Sequence, residues 1–405
     1  MRFCFPGVLP FLIGPGFLRP VFAVLRRAAP ILTLGNRTVV SRYLDVDEVL
    51  SRDADFTLSQ LNGPKIDRLD GPFILGLDRG PQYDRELALL HRVLLPSDLE
   101  RIRRFVAEQA ALQIAAARPR GRIDVVNEYA RVVAVRVVAQ YFGMPGPDEP
   151  TMMRWLRDIF YDVFANATNS ATVRANAARS GAALRAHMDA VIAQRKAAPP
   201  PATPPDDVLG RMLALQGPEN PWLDDDAVRR NLAGMIVGAV DTTSKFLTLA
   251  LAQLLERPAE AGRARTAALA GETETVRRYV YEAGRFDPHT PLLIRYAPRD
   301  TELAAGTRRA RTIRAGTTML LGNISAMFDP DGFDEPGSFR IEHDSAALHF
   351  GYALHRCLGL DVNSVQIPQL AAELLQLSNL RRARGSDGCI RFDGPFPNRL
   401  LLEFA

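Results

Sequence analysis

The chain has 405 residues, of which 47% are hydrophobic and 24% charged, with a formal net charge of +4. That is an ordinary globular balance, too weakly basic for a nucleic-acid binder and long enough to bury a core without a disulfide or metal staple. Lysine occurs only at Lys65, Lys196 and Lys245, so the basic side chains are almost all arginine.

The segment Phe3 to Leu18 is apolar but interrupted by Pro6, Gly7, Pro10, Gly14, Pro15 and Gly16. A spanning helix needs about 20 largely apolar residues. Residues 1–25 are therefore expected to form an apolar and basic segment with at most peripheral membrane contact, ahead of a single domain over 26–405. Two β-branched runs, Ile31 to Leu34 and Thr38 to Arg42, flank Gly35-Asn36-Arg37 and predict a hairpin. Asp45 to Leu50 predicts a capped helix, and the Gly-, Pro- and Asp-rich stretch 59–83 predicts a long loop of the kind that carries function. Helical periodicity runs from Arg85 to about Ala117 with a break at Pro96-Ser97-Asp98, and resumes as far as Ala193. Residues 197–207, AAPPPATPPDD, predict an exposed proline-rich surface loop.

Asp224 to Leu255 is the longest helical candidate. Asp224, Asp225 and Asp226 suit its positive N-terminal end, and its apolar middle, Leu232 to Val240, asks for burial. Residues 290–322 alternate as short strands, 323–356 are irregular, and a last amphipathic helix runs from about Leu358 to Leu377. The sum is a mostly α chain with small β-sheets.

Cys4, Cys357 and Cys389 are spaced too widely for a zinc site or a disulfide framework. Their odd number suits a reducing, cytoplasmic setting. Cys357 alone has a distinctive surrounding, HFGYALHRCLG over residues 349–359. It precedes a predicted helix, whose free N–H groups and dipole favour a thiolate, and glycine on either side lets backbone approach the sulfur. This stretch resembles the haem-binding loop of the cytochrome P-450 family: Phe350, Gly351, His355, Cys357 and Gly359 stand at the family spacing. Ala353 departs from the usual glycine, and a slightly adjusted turn is expected there.

Residues 238–243, GAVDTT, lie within the long helix. A threonine there can bond back to a carbonyl one turn earlier and bend the helix. The stretch resembles the family's oxygen-activation segment, with Gly238, Asp241, Thr242 and Thr243 matching and Ala239 in place of a glycine. Asp241 would relay protons and Thr242 would donate them or hold water. Read from the residues alone, the same stretch also suits an Asp-Thr break between two shorter helices. Glu282 and Arg285 are three apart and so share a helix face. The resemblance makes them the structural lock behind the haem, with Ser338 at the place of the third partner and Arg340 as its stand-in. Gly284 between them costs about 1 kcal/mol in a helix with no reason visible in the sequence.

The resemblance further implies the P-450 fold, a helical triangular prism with haem b between the long central helix and the cysteine-loop helix. Cys357 would be the axial thiolate and metal ligand, and O2 the co-substrate. Arg295 would meet a haem propionate, as would His355, and Tyr83 and Arg85 are the nearest candidates for the other propionate. The implied reaction is monooxygenation of a small apolar organic molecule by a monomeric enzyme. Its electrons would come from a separate ferredoxin or flavodoxin with its reductase, docking near Arg356 and Arg101, Arg103 and Arg104. Leu61, Phe73, Ile74, Phe160, Phe164, Leu292 and Leu293 are the candidate apolar pocket, and Asp67, Arg68 or Asp70 a polar handle. A peroxide-using or rearranging haem-thiolate enzyme and a non-catalytic haem protein are the alternatives.

Overall fold

The computed structural model describes residues 8–166, 168–199, 205–351 and 353–405. Cys4 and the middle of the proline-rich connector lie outside them. By contacts the chain falls into two compact units, one formed by residues up to Leu58, Ala110–Tyr129 and Lys245–Ala405, the other by Ser59–Gln109 and Ala130–Ser244.

The first unit is built on a four-stranded sheet. The expected hairpin forms between Ile31–Leu34 and Arg37–Val40, pairing Ile31 with Val40. Gly35 turns it with φ at 61°, a left-handed conformation that glycine adopts without steric cost. Thr318–Leu321 pairs parallel to the second strand, and Leu293–Tyr296 closes the other edge. Val40, Met319 and Leu321 face a core completed by Val46, Phe56 and Phe286. The helix Pro15–Ala28 runs across residue 25 and buries Leu18 and Phe22 against Ile324. Thr273–Phe286 and Leu360–Leu375 are the helices that carry the site described below. Three smaller sheets include the C-terminal strand Leu401–Glu403, paired with Arg122–Asp124 and Arg381–Arg382. The sequence pattern did not suggest these C-terminal strands.

The second unit is helical. Its helix starts are set by side-chain caps: Asp148, Asp207 and Asp224 each accept a backbone N–H three residues on, at 2.7–2.8 Å. The expected loop 59–83 is instead largely helical, with Ser59–Asp70, a short 3₁₀ turn at Ile74–Gly76, and Pro81–Val93. Its glycines serve packing. A β-carbon on Gly76 would stand 3.0 Å from Cα of Gly63, so two backbones meet where the composition suggested turns.

The long helical candidate is two helices, Asp225–Val237 and Asp241–Leu255, with a break between. Asp225–Leu255 is also the one described stretch long and apolar enough to cross a membrane, but its apolar window is 78% buried in the protein, as a core helix is. Cys357 is a free thiol, whereas Cys389 is disulfide-bonded, contrary to the reading that the cysteines form no disulfide.

Candidate functional site

In the first unit the cysteine loop is closed by its own backbone. The helix Ala346–Phe350 ends at Gly351, whose φ of 69° reverses the chain. A β-carbon there would lie 3.3 Å from the carbonyl oxygen of His355. Cys357 N–H then donates back to Phe350 O at 2.8 Å. Ala353 sits at φ 55°, so the departure from glycine falls on a residue in the left-handed region. Beyond the cysteine, Gly359 adjoins the sulfur, and the helix begins at Leu360. Burial pushes the Cys357 thiol up, while the Gly359 N–H and the charge of Arg356 pull it back toward thiolate. A β-carbon on Gly359 would approach Sγ to 3.8 Å and the Asn363 amide to 3.1 Å.

Phe350 is buried and stacks on Phe246, with ring centroids 6.0 Å apart. His355 lies in the 3₁₀ turn Ala353–His355 and is half-buried. Arg295 is buried on the strand Leu293–Tyr296 and donates to Ile294 O at 2.8 Å.

Behind the loop, Glu282 and Arg285 are completely buried and paired through two hydrogen bonds, at 2.8 and 2.7 Å. Arg285 also donates to the carbonyls of Met327, Pro336 and Ser338 at 2.7, 2.8 and 3.0 Å. The three N–H groups not spent on Glu282 thereby pin the irregular segment before the cysteine loop. The third partner differs from the expectation. Ser338 contributes only its carbonyl, and the Arg340 side chain turns to Asp334 at 2.7 Å. The Arg340 backbone N–H donates to Glu282 at 2.9 Å, and His343 Nδ1 lies 3.2 Å from the same oxygen. His343 was missed because it lies beyond Ser338 and Arg340, the two positions to which the resemblance pointed.

In the second unit, the break at Gly238–Val240 comes from the threonines. Thr242 Oγ1 donates to Gly238 O, and Thr243 Oγ1 to Ala239 O at 2.8 Å. Asp241, 3% exposed, is held by Arg157 through Nε at 3.0 Å and a terminal nitrogen at 2.7 Å. Arg131 Nε stands 3.0 Å from the same oxygen. The other carboxylate oxygen, Oδ2, is buried without a hydrogen-bond partner among the described residues. Neither arginine carried a sequence signal. A β-carbon on Gly238 would meet only Met235 O, at 3.8 Å.

Tyr83 is buried, and Arg85 lies over the Trp222 ring at 4.4 Å. The buried pair with Glu86 is made instead by Arg230, at 2.6 and 2.9 Å. Of the apolar candidates, Phe73 and Phe164 line a cavity of about 50 Å³ with Ile66, Leu69 and Val237. Ile74 is buried outside that lining, and the Phe160 ring lies tilted against Phe164 with centroids 4.9 Å apart. Leu292 and Leu293 belong to core clusters of the first unit.

The family model for cytochrome P450 matches residues 151–387, more than half of the chain. The protein belongs to the cytochrome P450 family. Vitamin D(3) 25-hydroxylase of Pseudonocardia autotrophica is 25% identical over 352 residues, 84% of this chain and 81% of the relative. Pulcherriminic acid synthase of Bacillus subtilis strain 168 is 23% identical over 380 residues, 90% of this chain and 89% of the relative. The crystal structure of CalO2 shares the fold at a TM-score of 0.83 and 23% identity, covering 99% of each chain. As a cytochrome P450, the enzyme is a haem-thiolate monooxygenase; the family holds haem b on a cysteine thiolate and uses O2. The cysteine loop fits that group. Its sulfur lies next to a glycine with no side chain, just before a helix, and is framed by a buried aromatic ring and a closed turn.

Proposed function

We propose that Cys357 is the axial ligand of the haem in this P450, and that Asp241 and Thr242 handle the protons its reaction consumes. The haem, when bound, supplies O2 activation, and a thiolate ligand favours O–O cleavage. The observation that carries the reading is the place of the Cys357 sulfur, in a closed turn beside Gly359 and just before the last helix. It stabilises negative charge on the atom that must ligate the metal. Phe350 keeps water from that side, and His355 and Arg295 would bind the carboxylates of the porphyrin.

Arg157 and Arg131 fix one oxygen of Asp241, and its partnerless Oδ2 is the atom placed to take up a proton. The hydroxyl hydrogen of Thr242 is spent on Gly238 O, so its oxygen accepts from water. That orients a donor toward the reaction.

The proposed substrate is a small apolar organic molecule, in keeping with the apolar Phe73–Phe164 lining and with a relative named for hydroxylating vitamin D(3). At about 50 Å³ that cavity holds only part of such a molecule. Electrons would come from an acidic ferredoxin or flavodoxin served by its reductase. Exposed Arg356, one residue before the cysteine, supports docking there. Arg103 and Arg104 are occupied with Glu100, and Arg101 with Asp98, which weakens their claim. We further propose a monomer working in the cytoplasm.

The test is the carbon monoxide difference spectrum of the reduced holoprotein beside Cys357→Ser. A strongly red-shifted Soret band lost in the variant is expected. A band at the histidine-ligated position would overturn the assignment. Turnover should require ferredoxin and reductase; undiminished turnover with peroxide alone would favour a peroxide-using enzyme.

A further inference from the structure

The helix Pro15–Ala28 has three faces of different chemistry. Leu18 and Phe22 are buried against Ile324, with Leu25 packed beside them. Phe17, Val21 and Val24 are four and three residues apart, so they form a second stripe on the same helix. That stripe faces solvent, at 36%, 38% and 64% exposure. The short helix before it, Val8–Ile13, extends the stripe with Val8, Phe11 and Leu12, at 69%, 45% and 42%. The rings of Phe11 and Phe17 touch, with centroids 5.8 Å apart, so the two helices present one continuous surface. Core packing explains the first stripe and leaves the second unexplained. Isolated exposed apolar residues are normal, but six within 17 positions mark an interaction surface.

The third face is cationic. A groove of about 730 Å³ runs along the helix, lined by Arg19, Arg26 and Arg257 with one acid, Glu256, and by Phe286 and Phe328. Among the described residues none of these arginines is paired with a carboxylate. Arg26 donates to Ser325 O and Oγ at 3.1 and 2.9 Å, Arg257 to Gln253, and Arg19 lies over the Phe328 ring at 3.9 Å. Burial and the neighbouring charges of Arg285, Arg257 and Arg26 hold the Arg19 guanidinium below its ordinary value. Arg27 is exposed beside them. Residues 1–44 contain six arginines and no aspartate or glutamate, the first acid being Asp45.

From these observations we propose that the two N-terminal helices lie on an anionic lipid surface, with Phe11, Phe17, Val21 and Val24 in the acyl boundary, exposed Arg27 on the phosphates, and the net positive charge of the segment adding to the attraction. An exposed apolar stripe on a helix whose charged residues are all basic is the composition of a helix that rests in a membrane interface without crossing it. Charge complementarity selects the occupant, since anionic lipid attracts clustered arginine close to the surface. Such attachment would concentrate the enzyme where apolar substrates partition.

The test is co-sedimentation of the haem-loaded enzyme with phosphatidylcholine vesicles, with and without phosphatidylglycerol. The comparison proteins are the triple variant F17S/V21S/V24S and, separately, R19Q/R27Q. The wild type should partition onto the anionic vesicles, weaken as salt is raised, and bind neutral vesicles far less. The triple variant should lose roughly tenfold or more of that partitioning, while an unchanged carbon monoxide spectrum shows that it is folded. In a Phe17→Trp variant the emission should shift to the blue on anionic vesicles. The proposal is overturned if the wild type ignores anionic vesicles or the triple variant binds equally well. Concentration-dependent dimerisation abolished by F17S/V21S/V24S, without vesicle binding, would assign the stripe to a second copy of the chain instead.

Discussion

Arg157 donates two hydrogen bonds to one oxygen of Asp241, and the carboxylate they hold is almost completely buried. Removing one partner of a buried pair leaves the other charge uncompensated, which costs about 3–5 kcal/mol when nothing else answers it. Arg131 still stands 3.0 Å away, so Arg157→Gln should cost less, about 2 kcal/mol in denaturant titrations. Asp241→Asn retains the shape but cannot carry a proton. Its product formation should fall by about 10²–10⁴-fold, with the carbon monoxide spectrum unchanged. A variant that turns over at the wild-type rate would remove Asp241 from proton delivery.

Gly284 occupies the turn between Glu282 and Arg285 because nothing larger fits. A β-carbon there would stand 2.9 Å from Phe246 Cζ and 3.2 Å from His349 Cε1. Both rings are buried and pack edge-on at 4.8 Å. Helix propensity alone predicts that Gly284→Ala stabilises by about 1 kcal/mol; overpacking predicts a loss of about 1–3 kcal/mol. Packing should win, giving a net loss in chemical denaturation and a broadened Soret band in the haem-loaded protein. A more stable variant would show that Phe246 can move aside.

The parts of the site legible in the sequence are those whose chemistry demands a short, contiguous pattern: the cysteine loop, the Asp-Thr-Thr stretch and the Glu-x-x-Arg pair. Each closes hydrogen bonds within its own stretch, three or four residues apart in the helices and seven in the cysteine loop. His343, Arg157, Arg131 and Phe246 were not legible, because each reaches its partner across the fold and a lone histidine or arginine carries no spacing signal. The 59–83 stretch failed for a different reason. Gly63 and Gly76 look like punctuation, yet they permit two backbones to touch, and Pro64 is accommodated inside a helix. The C-terminal strands are only two to four residues long, too short for alternation to show.

Ala353 holds a left-handed φ of 55° within the cysteine loop. For an L-residue that conformation costs about 1–2 kcal/mol, and glycine removes the cost while adding unfolded-state entropy of about 0.4–1 kcal/mol. Ala353→Gly should therefore stabilise the protein by about 0.5–1 kcal/mol. The expected readout is a higher midpoint for thermal loss of the Soret band, with the spectrum itself unchanged. An equal or lower midpoint would mean that the alanine methyl makes contacts worth as much as the strain.

His349 gives the fold a defined acid sensitivity. Its Nε2 lies 2.9 Å from Tyr281 O, and Nδ1 is buried without a partner among the described residues. Burial drives its pKa down to about 4, with the charge of Arg285 adding to the effect and the Tyr281 carbonyl opposing it. The unfolded ring titrates near 6.5, so below that pH the unfolded state takes up a proton that the folded state refuses. The stability contributed by the neutral ring is complete above about pH 6.5 and is lost as the pH falls toward about 4, at about 1.4 kcal/mol per unit. Asp287, which burial raises to about 7, acts in the opposite sense over the same range, so the wild type alone does not isolate the effect. His349→Gln retains a donor for Tyr281 O and does not titrate, and Asp287 cancels in the comparison. Between pH 7 and pH 5 the wild type should lose about 2 kcal/mol relative to this variant in denaturant titrations. A difference that stays constant across that range would show that the ring accepts its proton in the folded state as readily as in water.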